Sequence, residues 1–323
     1  MKTYLAGARL RNLAERARPA RRLASRLFTP LALIALLWAI WHGRQTLATL
    51  VVDARLDLLA ASLSIWLGLH LVSPLFTLRT LRGWGQPLRY RDALCIHVVR
   101  LPAKYLPGGI WHSVARAADY RRLAVNHRVI AAYLLIETLT LAGVTLFLGG
   151  AGVFATGVVT GAWAIATGLC AVLGVCVLLA APWVSQTLFI TIEPKLSLRQ
   201  YLINAAVLAV YWGWAGMAFA LFLNAFPALR LAASNVEAAV IYVFSWGIGF
   251  VTLFAPQGIG VSELVASHLL GERDSVVTLA ALLAGFRVVI LAADVAAWLL
   301  ATLPHTCGRP ASGVASQPPP RES

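Results

Sequence analysis

Apolar stretches dominate this chain and are separated by short basic clusters. They run over about 27–43, 58–78, 129–150, 157–182, 201–225 and 276–302. Each is close to the ~20 residues that a helix needs to cross a hydrocarbon core. Two further segments are interrupted: 93–118 by Pro102 and the run Pro107, Gly108, Gly109, and 236–270 by Pro256, Gly258 and Gly260. Proline removes a backbone donor and glycine frees φ, so neither segment reads as one continuous helix. The pattern predicts an all-α polytopic membrane protein with about six full spans and two re-entrant, Pro/Gly-broken hairpins.

Composition excludes a water-soluble alternative. Of 323 residues, 59% are hydrophobic and 12% charged, with a mean hydropathy of +0.76, far from the balance of a soluble domain. The spans fill 27–302, which reads as one membrane domain, preceded by a basic segment at 1–26 and followed by a polar tail at 303–323 expected to be disordered. A formal charge of +14 is compatible with nucleic acid, but the basic residues cluster beside apolar spans, where they set orientation, so no nucleic-acid partner is expected. The basic amino terminus resembles a signal peptide, yet Ala39, Ile40, Trp41 and His42 offer no small-x-small cleavage site, so the first span should stay as an anchor.

Positive-inside logic puts the amino terminus and two basic clusters, Arg79, Arg82, Arg89, Arg91 and Arg121, Arg122, Arg128, in the cytoplasm of an inner (plasma) membrane. The 93–118 segment between those clusters must then dip in and return on one side. Continuing outward and inward, 236–270 dips from the opposite side. Lys and Arg fall inside or in the inward hairpin except for Arg44, Arg55, Arg230 and Arg273 outside and Arg287 within a span. Two similar units of opposite orientation result, 58–150 and 201–302, each a span, a hairpin and a span. Inverted repeats with matching broken segments point to transporter sites near the midplane.

The breaks carry the candidate chemistry. In the first, Arg100, Lys104 and Arg116 flank Pro107, Gly108 and Gly109. A helix restarting after Gly109 could aim free N–H groups at phosphate beside those cations, whereas an interfacial helix with snorkelling side chains is the plainer alternative. In the second, Glu263 follows Pro256, Gly258 and Gly260, and could cap a helix, pair with a cation or titrate. Glu137, Arg287 and Asp294 lie inside spans, where a lone charge costs about 2.5–3.5 kcal/mol, so each needs a partner. Glu137 is expected to meet Arg287 or a hairpin cation, and Asp294 to pair with another segment. His70, Asn204 and Asn224 read as helix-packing hydrogen-bonders. Cys95, Cys170, Cys176 and Cys307 contain no CxxC and read as core residues, neither a disulfide nor a metal set. An intramembrane enzyme would have His112 and Asp119 as its best candidates, but no catalytic group, metal or cofactor is expected.

These motifs together resemble a known family. Lys104 to Trp111 followed by Arg116, then Glu137, then Pro256-x-Gly258-x-Gly260-x-x-Glu263, then Phe286-Arg287 are similar to the membrane region of lysylphosphatidylglycerol synthases and their stand-alone flippase-like relatives. The resemblance covers about 58–302. It implies flippase-type handling of an anionic or glycan-linked lipid, or a non-transporting role beside a glycosyltransferase or lipid-synthesis enzyme. It also implies that Arg100, Lys104, Pro107, Gly108, Gly109, Arg116, Pro256, Gly258, Gly260 and Glu263 contact the lipid. The second motif departs from the usual Pro-Gly-Gly at Gln257, which suggests a divergent substrate. No aminoacyl-transferring domain follows the last span, so lysyl transfer is not expected.

Overall fold

The computed structural model describes Trp38, Trp41 and residues 44–105, 111–189, 196–229, 233–252, 258–271, 276–303 and 307. Among the described residues the chain is helical, with no strand. In order come α1 Arg44–Val52, α2 Leu56–Gly83, α3 Tyr90–Val99, a 3-10 turn Leu101–Tyr105, α4 Trp111–Arg122, α5 His127–Thr156, α6 Gly161–Leu188, α7 Leu198–Asn224, α8 Asn235–Val251, α9 Val261–Leu270 and α10 Val276–Thr302. Helices α2, α5, α6, α7 and α10 are long and apolar enough to cross a membrane, so the chain is a multi-pass integral membrane protein. The span expected at 27–43 lies outside the described residues apart from Trp38 and Trp41, as does nearly all of 1–26 and 303–323.

Local chemistry sets the ends of these helices. Ser197 opens α7 with a capping box: its hydroxyl accepts from the Gln200 N–H at 3.2 Å while Gln200 Oε1 accepts from the Ser197 N–H at 3.1 Å. Ser234 and Glu237 repeat the device at α8. The broken segments give the short pieces that the sequence predicts. Helices α3 and α4 have 10 and 12 residues, and α8 and α9 have 17 and 10, each shorter than a full span.

The inverted repeat is visible as a symmetry of packing. Helix α2 lies antiparallel to α7, because the Arg55 N–H donates to the Ala225 carbonyl, the Ser62 hydroxyl to Ala218 and Asn204 Nδ2 to the Thr80 hydroxyl. Around that pair the contacts match one for one. Helix α5 packs on the second hairpin at α8, and α10 on the first hairpin at α3; α4 packs on α5, and α9 on α10. The two units thus pack on each other in a matching, antiparallel arrangement. Helix α6 stands outside it, packed chiefly against α5, with Leu169, Val172, Leu179 and Trp183 facing outward.

In a bilayer the helices gain little by hiding apolar surface, so close packing and internal polar bonds hold them together. At Gly149 of α5 a Cβ would sit 2.4 Å from the Phe244 backbone of α8, so only glycine permits that approach. Gly258 has φ +67°, and a Cβ there would meet Gly249 Cα at 2.7 Å. Phe286 fills the centre, its ring 5.5 Å from Trp66 and 5.2 Å from Phe219, Phe222 and Tyr242, which joins four helices.

The expectation for the cysteines is corrected. Cys95 of α3 and Cys307, just past α10, form a disulfide across 212 residues, beside a small apolar cluster of Val98, Leu101, Ala297 and Ala301. Spacing could not show this, because the packing of α10 on the first hairpin brings the residues together. Cys170 and Cys176 are free, and Cys176 is exposed on α6, not in the core.

Candidate functional site

Each hairpin ends in a charged pair with the span that follows it, and the two pairs have opposite sense. In the first unit the cation is on the hairpin: Arg116 of α4 donates to Glu137 of α5 through Nη1 at 3.0 Å and Nη2 at 2.6 Å. Tyr133 lies between them, donating to Glu137 at 2.5 Å and accepting from Arg116 at 3.0 Å, and it shares a hydrogen bond of 2.7 Å with Thr77 of α2. In the second unit the carboxylate is on the hairpin: Glu263 of α9 accepts from Arg287 Nε of α10. Glu263 also takes the Gly260 N–H at 2.8 Å and the Ser262 hydroxyl at 3.1 Å, while Arg287 Nη2 donates to Ser262 at 2.8 Å. Glu263 is therefore both helix cap and ion-pair partner. Multiply hydrogen-bonded pairs of this kind are what a charge needs to persist away from water.

A third cluster joins the units. Asp294 of α10 is almost fully buried and accepts from the Tyr105 hydroxyl at 2.6 Å and from Lys104 Nζ, both on the 3-10 turn of the first hairpin. His70 Nε2 of α2 lies 3.1 Å from Asp294 Oδ1. His70 Nδ1 is 3.3 Å from His97 Nε2 of α3, and the His97 ring is 5.8 Å from that of His112 on α4. Pro74 sits one turn beyond His70 in α2 and has no N–H to give to the His70 carbonyl, which loosens the helix at this point. Tyr90 supplies the next carbonyl, that of Leu71, with a hydroxyl at 2.6 Å.

The cations of the first hairpin are not equivalent. Arg100 is 34% exposed and Lys104 21%, while their carboxylates Asp119 and Asp294 are 13% and 2% exposed. Arg116 is sealed at 6%. Each cation already faces a carboxylate, Arg100 through two bonds to Asp119 of 2.5 and 2.8 Å. Asp119 is held by Arg100 and Arg122, while His112 faces His97, so the structure shows no bond between the two residues considered for catalysis.

Of the partners weighed for Glu137, the hairpin cation holds it and Arg287 does not. Asn204 bonds Thr80 and Arg79, and Asn224 bonds Asn235, as helix-packing residues do. His70 is different: it is one of two buried histidines that couple Asp294 to the first hairpin. A histidine in a span one turn before a proline was the available signal. Pro107, Gly108, Gly109 and Pro256 lie outside the described residues; Gly258 and Gly260 sit in the turn before α9, both at positive φ. No group of three or more side chains suited to a metal exists among the described residues.

The chain matches no family model and no curated protein.

Proposed function

We propose that the protein is a lipid translocator that accepts an anionic or glycan-linked lipid at the first hairpin while the acyl chains stay in the bilayer. The observation that carries this reading is the asymmetry of the Lys104–Asp294 pair: a partly exposed lysine side chain next to a Pro/Gly break in the sequence, paired with a buried carboxylate contributed by the other repeat. A phosphate approaching the break meets Lys104 and the exposed rings of Tyr105 and Trp111 before it meets Asp294. Asp294 then serves as the internal stand-in for head-group phosphate, keeping Lys104 neutralised until the lipid arrives. Arg100 offers a second accessible cation, whereas Arg116 belongs to the frame. The order of motifs shared with flippase-like membrane regions supports the same reading.

The test is a head-group accessibility assay in proteoliposomes, with fluorescent phosphatidylglycerol and a lipid-linked sugar, wild type against Lys104→Ala. Faster exchange of one lipid, lost in the variant, is expected. Exchange no faster than in empty vesicles for every lipid refutes translocation.

A further inference from the structure

His97, His70 and Asp294 lie in series beside Lys104, His70 being 3.3 Å from His97 and 3.1 Å from Asp294, and nothing in anion binding alone requires the two imidazoles. We infer that engagement of a phosphate-bearing head group by Lys104 is coupled to uptake of one proton along this chain, so that anion and proton are carried together. The inference rests on the translocator reading.

Three observations lead to it. The first is proximity. His70 Nε2 lies 3.1 Å from Asp294 Oδ1 without a hydrogen bond at rest; once the His70 ring turns its Nε2–H onto Asp294, His70 Nδ1 accepts from His97 Nε2–H across 3.3 Å. A proton arriving at His97 Nδ1 therefore moves the Nε2 proton of His97 to His70 Nδ1, and the Nε2 proton of His70 to Asp294. One proton enters and one arrives.

The second is charge balance. At rest the cluster is neutral, with Asp294 balanced by Lys104. When a phosphodiester takes Lys104, Asp294 keeps the Tyr105 hydroxyl and has a neutral imidazole, His70, 3.1 Å away, in a setting where an uncompensated charge is costly. A proton on the His70–Asp294 pair restores neutrality. The third is that the two arginines near the chain are already tied to carboxylates. Arg116, which faces His97 from α4, is tied to Glu137, and Arg287, one helix face along α10 from Asp294, is tied to Glu263. Tyr211 approaches Asp294 from α7 and His112 approaches His97 from α4. Imidazole can take a proton at one ring nitrogen and release one from the other, and the chain holds two such rings in series.

Calorimetric titration of the purified full-length protein with dihexanoyl phosphatidylglycerol near pH 7, in buffers of different ionisation enthalpy, tests this. The phosphodiester carries a fixed charge, so any proton exchanged belongs to the protein. Wild type should take up about one proton per lipid bound, and affinity should weaken by up to about tenfold per pH unit as pH rises. His97→Gln and, independently, His70→Gln should abolish the uptake. Glycerophosphoglycerol, the deacylated head group, separates recognition of a soluble phosphodiester from that of a lipid; proton uptake with either supports the coupling. Binding to wild type with no proton exchanged overturns the coupling and leaves the translocator reading in place. No binding of either compound to wild type overturns both.

Discussion

The Arg116–Glu137 pair offers the sharpest quantitative test of the packing described above. Arg116 is 5% exposed as a residue and keeps its charge at any accessible pH, so Glu137→Gln leaves a buried guanidinium without its counter-charge. Two unit charges about 4 Å apart interact by about 4 kcal/mol at the effective dielectric suited to protein sites. Breaking such a buried pair from one side costs about 3–5 kcal/mol. Glutamine retains an oxygen for the Tyr133 hydroxyl, so the lost charge, not lost shape, dominates. Arg116→Gln should cost a similar amount by stranding Glu137. The double variant Arg116→Gln/Glu137→Gln should lose only about 1–3 kcal/mol, because the second substitution removes the charge that the first left exposed to low dielectric. Unfolding free energies from steric trapping in bicelles give the four corners of the cycle. Single effects that add to within about 0.5 kcal/mol would refute the pairing. A parallel cycle with Glu137→Gln and Arg287→Gln should be additive, since Arg287 bonds Glu263 and Ser262 while Glu137 bonds Arg116 and Tyr133.

Further outcomes follow from other contacts. Gly258→Ala meets both a left-handed backbone and the Gly249 Cα, and should lower stability by about 2 kcal/mol or more, read as a fall in the detergent melting temperature. Gly149→Ala, pressed against the Phe244 backbone, should cost about 1–3 kcal/mol in the same assay, while Gly213→Ala, with open space around its Cβ, should change little. Maleimide labelling of denatured protein, prepared with thiols trapped at lysis, should modify two cysteines before reduction and four after it; four before reduction means the Cys95–Cys307 bridge does not form in the membrane. Asp294→Asn should destabilise the protein by stranding Lys104, and Asp294→Asn/Lys104→Met should recover most of that loss, which equal melting temperatures for the single and double variants would contradict.

Much of this architecture was legible in the sequence because a bilayer constrains it so tightly. Span length and Pro/Gly breaks together mark which segments form long apolar helices and which break into short ones. Intramembrane charges announce that partners exist, as for Glu137, Arg287 and Asp294, but they do not choose between candidates. That choice depends on which helices touch. Lys104 reaches Asp294 and Cys95 reaches Cys307 only because α10 of one repeat lies on the first hairpin of the other, over separations of about two hundred residues. One pairing signal lies in the repeats themselves. Comparing the repeats sets Arg116 with Glu137 against Glu263 with Arg287, each a hairpin helix paired with the following span at 21 and 24 residues' separation and with the charges exchanged, and that comparison pairs each residue within its own unit. The histidine chain had no comparable signal, since His70, His97 and His112 lie on three helices and become neighbours only in the packed bundle.

Helix α6 contributes nothing to either charged pair and touches little beyond α5, yet the parity of the whole chain depends on it. With each hairpin turning back on its own side, as the basic clusters predict, a unit of span, hairpin and span crosses the bilayer an even number of times, so a tandem copy would insert in the same orientation as the original. One additional crossing between the copies makes them opposite-facing. The sequence of α6 is therefore free to drift along its lipid-facing side, but its presence is obligatory. Deleting it whole would reverse α10 relative to the first hairpin, moving Cys307 to the membrane face opposite Cys95 and parting Asp294 from Lys104. A single generic apolar helix in its place would restore the count.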